Sequence, residues 1–552
     1  MDGPRKRKAA RPVSKRPAGN IAKTELLPEK TLIHAIMMAQ LGKLDEVEVN
    51  SMVSSIVSLC RDRNELDVGS LCSGMEIAFF CNSILVAHAT DGRSRVRQCF
   101  SCEVEPQKQH FLLQYVHAHP WAAATDSDGS CCLFKNACAM GGRSSACVAH
   151  ARDCPVPSGS QGPTLVSAGF SCKTISRLNM HRHKQAPDAL ATKRGSTGST
   201  WDGLIQYTAT YSPPLLILEN VPDILNAGST NFATMQQEFG QQGYSIKATI
   251  ADAMSQGACM PRKRAYFWLL HREKCGLAFE EAEQILDKAS AIMDKINIES
   301  VKGLSEVVLP DYHAVVEQEL RAMTEAAAAK GPRHGTECKW PAQHLKKLGD
   351  ANLAYGQIRL PDEMTANPWY KILPDRARQL LGFKYHKDPS ANTYEISQSM
   401  SRSSATSNAS SSADAADDAV IPRAMIWLRS QCRLLTGYEH CLLQGMPMDM
   451  LLSEVEVADL GRRLLADFAG NAFNAASYTA ALISLFAALP TTMVVDRDLV
   501  EANSDQEYST MINESWSSAM AEEVTTDTEQ APTTSPAAIH EPAPPRTPAT
   551  PR

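Results

Sequence analysis

Six short apolar runs, separated by longer segments of mixed composition, constrain most strongly how this 552-residue chain can fold. The runs have strand-like composition and are bounded by Gly, Ser or Pro, and the segments between them have helical periodicity. Strands that alternate with helices predict an α/β fold with a mainly parallel sheet and helices on both faces. Ligands of such sheets bind at the carboxyl ends of the strands. The runs are LDVGSLC (66–72), VRQCFSCEVE (96–105), TLVSAGF (164–170), PLLILENV (214–221), YSIKATIA (244–251) and AYFWLLH (265–271).

Composition divides the rest of the chain into further segments. Residues 31–60 have apolar residues at helical spacing, and a Ser/Ala/Asp-rich run at 397–419 cannot bury a core and predicts a disordered insert. The predicted organisation is a basic disordered arm (1–30), a helical extension (31–60), a main sheet domain (61–271), a smaller irregular region (272–432), a C-terminal part of the main domain (433–490) and an acidic, Pro/Thr-rich disordered tail (491–552).

The formal net charge of −6 hides an asymmetry between the two ends of the chain. Residues 1–30 carry nine Lys or Arg against three acidic residues, whereas residues 496–552 carry eleven acidic residues against three Arg. The basic cluster predicts a nuclear targeting signal, with a phosphate-binding tether or a solubilising tail as alternatives. No run approaches the roughly 18–20 apolar residues that cross a bilayer, so we expect no membrane partner. The sixteen cysteines of an intracellular chain should be thiols.

The end of the first predicted strand has features of a nucleoside site. A turn through Ser70, Leu71, Cys72 and Gly74 follows the strand, and Glu103 ends the next strand about thirty residues on. A turn that lets the backbone approach a ligand, together with a carboxylate that accepts hydrogen bonds from ribose hydroxyls, is the general arrangement for nucleoside binding on this architecture. With a single glycine in the turn, an ordinary strand-to-helix connection is the alternative interpretation.

A candidate nucleophile follows the third predicted strand. Cys172 lies on a loop beside Lys173, and a cation near a loop cysteine favours the reactive thiolate. Glu219 ends the next strand, and Arg262 and Arg264 precede a further one. A nucleophile, a carboxyl group and two arginines at strand ends would converge on one side of the sheet. The alternative is a cysteine that only fills the core.

Seven blocks in order resemble the cytosine-C5 DNA methyltransferase family, of which this chain would be a divergent member. The resemblance covers about residues 66–271 and 433–489 and leaves 272–432 where that family has its variable target-recognition region. It implies a Rossmann-like, S-adenosylmethionine-dependent methyltransferase sheet with a smaller, irregular target-recognition domain. The blocks are SLCSGMEIA, CEVEP, GFSCKTIS, LENV, MPRKRAYF, RLLTGYEHCLLQGMP and GNAFNAA.

The resemblance implies a covalent mechanism on a cytosine flipped out of double-stranded DNA. Cys172 would add to C6 of the base, so that C5 becomes nucleophilic and takes a methyl group from S-adenosylmethionine. Glu219 would hydrogen-bond the N3/N4 edge and favour protonation at N3. Arg264 would hold the base, and Arg262 would point toward the same pocket or toward backbone phosphates.

The resemblance also assigns the cofactor site. The turn from Ser70 to Gly74 would hold the methionine part of S-adenosylmethionine, and Glu103 would hold its ribose. Asn471 would close the pocket from the C-terminal part of the chain. Asn136 is the candidate for the adenine amino group, with Asp126 or Asp128 as alternatives.

Four positions depart from the family pattern, namely Ser171, Lys173, Met260 and Gly437, where that family usually has Pro, Gln, Gln and Pro. Ser171 loosens the loop, and Lys173 would contact phosphate or depress the pKa of the thiol. Because the nucleophile, the carboxyl group and the arginines are all present, we favour an active enzyme. The alternatives are methylation of a tRNA cytosine, with RNA as partner, and an inactive DNA- or chromatin-binding relative.

A group of cysteines between the second and third predicted strands raises the question of a metal. The set Cys138, Cys147, His150 and Cys154 has four potential zinc ligands, but it lacks a Cys-x2-Cys knuckle. We therefore assign no metal to the protein from sequence, and keep zinc as the alternative to a loop of free thiols.

Overall fold

The computed structural model describes residues 31–60, 63–118, 131–176, 188–329, 344–346, 348–349, 358–397, 421–491, 493 and 495–497. The predicted basic arm, nearly all of the predicted insert at 397–419, most of the acidic tail, and the alternatives Asp126 and Asp128 lie outside these residues.

A nine-stranded sheet organises the described part of the chain, in the order β5-β4-β3-β2-β1-β6-β7-β9-β8. Strands β3, β2, β1, β6 and β7 are parallel, whereas β9 runs antiparallel between β7 and β8, and β4 and β5 form an antiparallel edge. The predicted α/β fold is therefore confirmed. The strands are β1 Glu65–Leu71, β2 Arg95–Cys102, β3 Cys132–Phe134, β4 Ser144–Cys147, β5 Arg152–Pro155, β6 Leu165–Ala168, β7 Leu215–Asn220, β8 Tyr244–Asp252 and β9 Lys263–His271.

Seventeen α-helices with bounds in the described residues accompany the sheet. They are α1 Leu32–Leu41, α2 Glu46–Leu59, α3 Ile77–Ala89, α4 Pro106–Phe111, α5 Gly195–Tyr211, α6 Asn231–Gln241, α7 Phe279–Lys295, α8 Leu304–Val307, α9 Ala314–Ala329, α10 Asp362–Ala366, α11 Pro368–Lys371, α12 Asp375–Lys387, α13 Gly437–Leu443, α14 Met448–Leu451, α15 Glu454–Leu460, α16 Arg462–Asn471 and α17 Ala475–Ala488. None of the helices in this part of the chain is both long enough and apolar enough to span a bilayer.

The register of the central strands brings distant segments to one edge of the sheet. Leu71 on β1 pairs with Ala168 on β6, which in turn pairs with Leu218 on β7. Because these strands are parallel, the residues that follow each of them emerge side by side. Strand β9 is antiparallel to β7, with Ala265 opposite Asn220, so the start of β9 meets the end of β7. Four segments far apart in sequence therefore share one edge.

The first and last helices cover one face of the sheet together. Helix α2 begins with a capping box, in which Asp45 accepts from the backbone N–H of Glu48 and the Glu48 side chain accepts from that of Asp45. Every residue of α17 is buried, and this helix packs against α2, α3 and α7. The Gln40 side chain on α1 donates to the carbonyls of Gln256 and Ala476, at 2.9 and 2.8 Å. These contacts join the N-terminal extension to the sheet domain.

The described residues between 272 and 432 form two differently packed parts. Helix α7 packs through Leu286 and Ile292 into the same apolar cluster as the main sheet. A second cluster lies farther along the chain, around Trp369 and Trp427, and it includes the small antiparallel sheet. That sheet consists of β10 Thr393–Glu395, β11 Ile426–Leu428 and β12 Arg433–Leu434.

Candidate active site

The loop that carries Cys172 follows β6 and is held by hydrogen bonds from its own backbone. The N–H groups of Ile175 and Ser176 donate to the Cys172 carbonyl, at 3.1 and 2.8 Å. The N–H of Ser171 donates to Thr200 Oγ1 on helix α5, at 3.1 Å. These hydrogen bonds fix the loop, which has Ser171 at the position where the family usually has proline. Cys172 is half-buried in this arrangement.

Glu219 and Arg264 form an ion pair at the end of β7. Arg264 Nε lies 2.8 Å from Glu219 Oε1, and the two side chains are 19% and 13% exposed. A Cβ placed on Gly169 would lie 3.8 Å from Glu219 Oε2, so the carboxylate lies beside the start of the Cys172 loop. Because the pair is largely shielded from water, its charges act more strongly on the thiol. The remaining exposure leaves both side chains accessible to a ligand.

Arg262, for which the sequence left the same pocket or the backbone phosphates as alternatives, lies buried just before β9. Its side chain is 2% exposed, and its guanidinium donates to the carbonyls of Gly470 and Ala472, at 3.2 and 2.6 Å. The guanidinium therefore ties β9 to the C-terminal part of the chain and is not open to a DNA phosphate. Burial and the neighbouring charge of Arg264 lower the pKa of Arg262 to about 9.

The surroundings of the Cys172 thiol favour its protonated form. Burial raises its pKa above the ordinary value, Arg264 and Arg262 oppose that rise, and Glu219 adds to it. Lys173, for which the sequence left contact with phosphate or depression of this pKa as alternatives, has an exposed side chain, and the two arginines are the strongest cationic influences on the thiol.

The turn after β1 is held against the end of β2. Ser73 donates its N–H to the Cys102 carbonyl (2.9 Å), and its hydroxyl accepts from the Cys102 N–H (3.0 Å). Gly74 has a left-handed backbone, with φ of 58°, and donates its N–H to Glu103 Oε2 at 3.1 Å. Glu103 Oε1 accepts from the N–H of Glu105 at 3.0 Å. The turn and the carboxylate predicted for cofactor binding are therefore in direct contact.

The other residues assigned to the start of this turn have inward-facing side chains. Ser70 is buried and donates its hydroxyl to Ser73 Oγ at 2.9 Å. The Leu71 side chain belongs to an apolar cluster under the sheet. Burial, followed by the charge of Glu103, raises the pKa of the Cys72 thiol to about 12. These residues shape the turn, and a ligand would meet the backbone there.

Asn136 and Asn471 are the other two residues assigned to the cofactor. Asn136 is exposed two residues beyond β3, and its Oδ1 caps a short helical turn by accepting from the Cys138 N–H at 3.0 Å. Asn471 ends α16 and donates its side-chain amide to the Asp467 carbonyl at 2.8 Å. Its own carbonyl would lie 3.7 Å from a Cβ on Gly74. The C-terminal part of the chain therefore borders the turn.

The residues present fit S-adenosylmethionine. A carboxylate has about four lone-pair positions, so Glu103 keeps acceptor capacity for two ribose hydroxyls beyond the two backbone N–H groups that it already binds. The left-handed conformation at Gly74 costs little only for glycine, which also allows close approach of a ligand. Asn136 is exposed after β3, the strand next to β2, so its side-chain amide is accessible to a ligand.

Some residues that support the site had no predicted role. The Asn220 side chain donates to the Phe170 carbonyl at 3.0 Å and so joins β7 to the Cys172 loop. Glu76 is buried close to the Ser70, Ser73 and Ser101 hydroxyls, and burial raises the pKa of its carboxyl to about 7. Both residues lie inside the blocks LENV and SLCSGMEIA, but a sequence block does not tell which of its side chains turn inward.

Two of the departures from the family pattern have a packing explanation. A Cβ on Gly437 would lie 2.6 Å from the Arg462 carbonyl oxygen and 2.9 Å from Leu465 Cβ, so α13 packs against α16 too closely for a side chain. Met260 is fully buried in the main apolar cluster, with Gln444 Nε2 at 3.8 Å from its sulfur. Neither change removes a group from the Cys172 region.

The fold and the site define a class. A parallel core with one antiparallel strand next to its last parallel strand, and with the Glu103 carboxylate directly after β2, is the sheet of a Rossmann-like, S-adenosylmethionine-dependent methyltransferase. The comparisons with known proteins narrow this class.

Residues 163–477 match the family described as C-5 cytosine-specific DNA methylase, and the chain belongs to that family. The DNA (cytosine-5-)-methyltransferase DMT5 of Cryptococcus neoformans var. grubii is 25% identical over 469 residues. The match covers 79% of this chain but only 18% of that relative, so the chain spans less than a fifth of the relative's length.

Solved structures with a similar fold include the S. pombe Dnmt2 methyltransferase and the Entamoeba histolytica methyltransferase EhMeth. Each is 11% identical to this chain, and each similarity covers 76% of this chain and 98% of the other. The TM-scores are 0.34 and 0.35, and at such scores the similarity supports no conclusion about function.

Proposed function

We propose that this chain transfers a methyl group to C5 of cytosine in double-stranded DNA, through a covalent bond between Cys172 and C6 of a flipped base. One observation carries the proposal, namely the Glu219–Arg264 ion pair beside the Cys172 loop at the carboxyl end of the central strands. A carboxylate and a guanidinium that already contact each other can bind the polar edge of one pyrimidine beside a nucleophile. Membership in the family supports the same reaction.

Each side chain has a task in this reaction. The Cys172 sulfur adds to C6 and leaves again when C5 loses its proton. Glu219 binds the N3/N4 edge and favours protonation at N3, which limits negative charge in the ring. Arg264 keeps its bond to Glu219 and donates to the base. Arg262 acts as a positioning residue, because it holds the start of β9 through the carbonyls of Gly470 and Ala472.

Bound S-adenosylmethionine would supply an electrophilic methyl group. The backbone from Cys72 to Gly74 and the Glu103 carboxylate would hold it, with Asn136 and Asn471 at the two borders of the site. Because the turn, Glu103 and Asn136 follow β1, β2 and β3, they lie at the same edge of the sheet as Cys172.

The raised pKa of Cys172 gives the substrate a role in activating the enzyme. A carboxylate next to the thiol opposes ionisation, and Glu219 is that carboxylate. When Glu219 shares a proton with N3 of a bound cytosine, its charge falls and this opposition weakens. The thiolate then forms most readily when the correct base is in place, which protects a reactive sulfur between turnovers.

The test is methyl transfer from labelled cofactor to duplex DNA, to tRNA and to a mock substrate. We expect transfer to DNA, loss of transfer in Cys172→Ala, and a covalent complex with DNA containing 5-fluorocytosine that Cys172→Ala does not form. Cys432→Ala is the matched control, because Cys432 is also half-buried but lies beside the small sheet. Transfer to tRNA alone would replace the substrate proposal, and DNA binding without transfer would favour an inactive relative.

We also propose a nuclear location, supported by the nine Lys or Arg among residues 1–30. A fluorescent fusion of the full chain should accumulate in nuclei, and its counterpart with the basic residues of the arm replaced by Gln should not. Equal distribution of the two fusions would remove this proposal.

A further inference from the structure

A second cluster of reactive side chains lies on the antiparallel edge of the main sheet, at β3, β4 and β5. Cys132, Cys147, His150 and Cys154 each direct one ligand atom to a common point, and these atoms lie within 4.8 Å of one another. The three sulfurs lie 3.6, 3.3 and 3.3 Å from His150 Nδ1. The three cysteines are only 4–7% exposed. Methyl transfer as proposed above uses none of these groups.

Strand register explains why these residues meet. Cys147 lies opposite Phe134, and Cys132 precedes Phe134 by two positions, so the two cysteines share a face of the sheet. Cys154 lies opposite Ser145 in the β4–β5 hairpin, and Ser145 is two residues before Cys147, which places Cys154 on that face as well. His150 lies in the turn that connects the two strands.

The distances fit a tetrahedral metal centre. With Zn–S near 2.3 Å and Zn–N near 2.0–2.1 Å, a tetrahedral arrangement separates a sulfur from a nitrogen ligand by about 3.6 Å. Hydrogen bonding alone does not explain the convergence, since one imidazole nitrogen offers a single lone pair or a single hydrogen and three sulfurs surround it. Thiolates and an imidazole in this geometry select zinc over the harder divalent cations.

We propose that Cys132, Cys147, His150 and Cys154 bind one structural Zn²⁺. Four protein ligands close the coordination sphere, which is the pattern of a structural and not of a catalytic zinc site. The ion would fasten the β4–β5 hairpin to β3, a strand of only three residues. The end of β3 also accepts the backbone N–H of Glu103, through the Phe134 carbonyl at 3.1 Å. The zinc would thus stabilise the edge that supports the cofactor turn.

The ligand set differs from the one that the sequence suggested. Cys138 was grouped there with Cys147, His150 and Cys154, but its sulfur donates to the Ser199 carbonyl at 3.2 Å, and Cys132 takes the fourth position. Spacing could not distinguish Cys138 from Cys132, because the assignment depends on the pairing of β3 with β4, in which Cys147 lies opposite Phe134. The assignment of no metal to the chain is replaced by this proposal.

Zinc content of the purified full chain, measured by mass spectrometry of the metal, tests the proposal directly. We expect about one zinc per chain in the wild type and in Cys138→Ser, and a loss of at least fivefold in Cys154→Ser and Cys132→Ser. Cys138→Ser is the matched control, because it removes a neighbouring thiol outside the cluster. Circular dichroism of each variant reports whether the rest of the chain is folded.

A second measurement is independent of whether the serine variants fold. Protein reconstituted with Co²⁺ should show the intense visible bands of a tetrahedral site together with thiolate-to-cobalt charge transfer, in the wild type and in Cys138→Ser. Wild-type protein prepared with added zinc that holds less than about a tenth of an equivalent would overturn the proposal. Loss of zinc in Cys138→Ser with retention in Cys132→Ser would overturn this ligand set. Neither result bears on methyl transfer.

Discussion

Replacing Glu219 by Gln should lower the turnover of methyl transfer and raise the reactivity of the Cys172 thiol. Gln keeps the length of the side chain and can still accept from Arg264 Nε, now 2.8 Å from Glu219 Oε1, but it carries no charge. Turnover should fall about 100- to 1,000-fold, because Gln does not favour protonation at N3 of the base. The Cys172 thiol should become more acidic, because the carboxylate that raises its pKa is gone while both arginines remain.

The second effect follows from the position of the charge. Glu219 is 13% exposed and lies beside the Cys172 loop, so water screens its charge only partly. Removing this charge should therefore lower the pKa of the Cys172 thiol, although burial, the largest cause of the raised pKa, remains. Alkylation of Cys172 should then accelerate at pH values below its pKa, where the rate follows the thiolate fraction.

The assay is the pH profile of Cys172 alkylation, read by mass spectrometry of its peptide, beside single-turnover methyl transfer to duplex DNA. Arg264→Gln is the paired variant. It should shift the alkylation profile to higher pH, because Arg264 is the cation that most strongly lowers the pKa of the Cys172 thiol. If Glu219→Gln left the alkylation profile unchanged or moved it upward, the electrostatic account of the site would be refuted. Unchanged turnover would refute the role of Glu219 at N3.

Further substitutions test the packing and the cofactor turn. Arg433→Met should destabilise the fold by about 3–5 kcal/mol in denaturant unfolding, because it leaves the Glu439 carboxylate buried without the guanidinium that it contacts at 2.7 Å. Arg433→Met combined with Glu439→Gln should recover much of that loss. Gly437→Ala should lower the free energy of unfolding by about 1–3 kcal/mol, because the new Cβ would lie 2.6 Å from the Arg462 carbonyl oxygen. An unchanged melting temperature would contradict this prediction. Glu103→Ala should weaken binding of S-adenosylmethionine at least tenfold by calorimetry while the circular dichroism spectrum stays the same, and equal affinity would exclude Glu103 from the site.

The sequence predicted the central strands well but not the edge of the sheet. Apolar runs mark β1, β6 and β7 because these strands are buried on both faces. Strands β3, β4 and β5 hold only three or four residues each; β4 alternates exposed with buried positions, and β5 has one buried position among four. Runs this short give too little periodicity to predict, and their pairing depends on the rest of the sheet.

For the site, strand ends indicated which residues could meet but not which way they face. The structure places Glu219 and Arg264 in contact, as their positions on adjacent antiparallel strands require. Arg262, two residues before Arg264, lies just outside β9 and turns into the interior, where its guanidinium donates to the Ala472 carbonyl. The period-two alternation of a strand does not predict the direction of a side chain that precedes the strand. The direction of the Cys172 pKa shift depends on burial, which no local sequence feature reports.

Helix α17 has a consequence for how the chain is made. This helix supplies residues 475–488 to the interior, between α2, α3 and α7, and its neighbour Leu489 accepts hydrogen bonds from the Ser51 and Ser55 hydroxyls. During synthesis, one apolar face of the sheet therefore stays uncovered until α17, about 200 residues after β9, has left the ribosome. Over that interval the nascent chain is a natural client for chaperones, and a premature stop codon before residue 475 would yield an aggregating product and not a weakened enzyme.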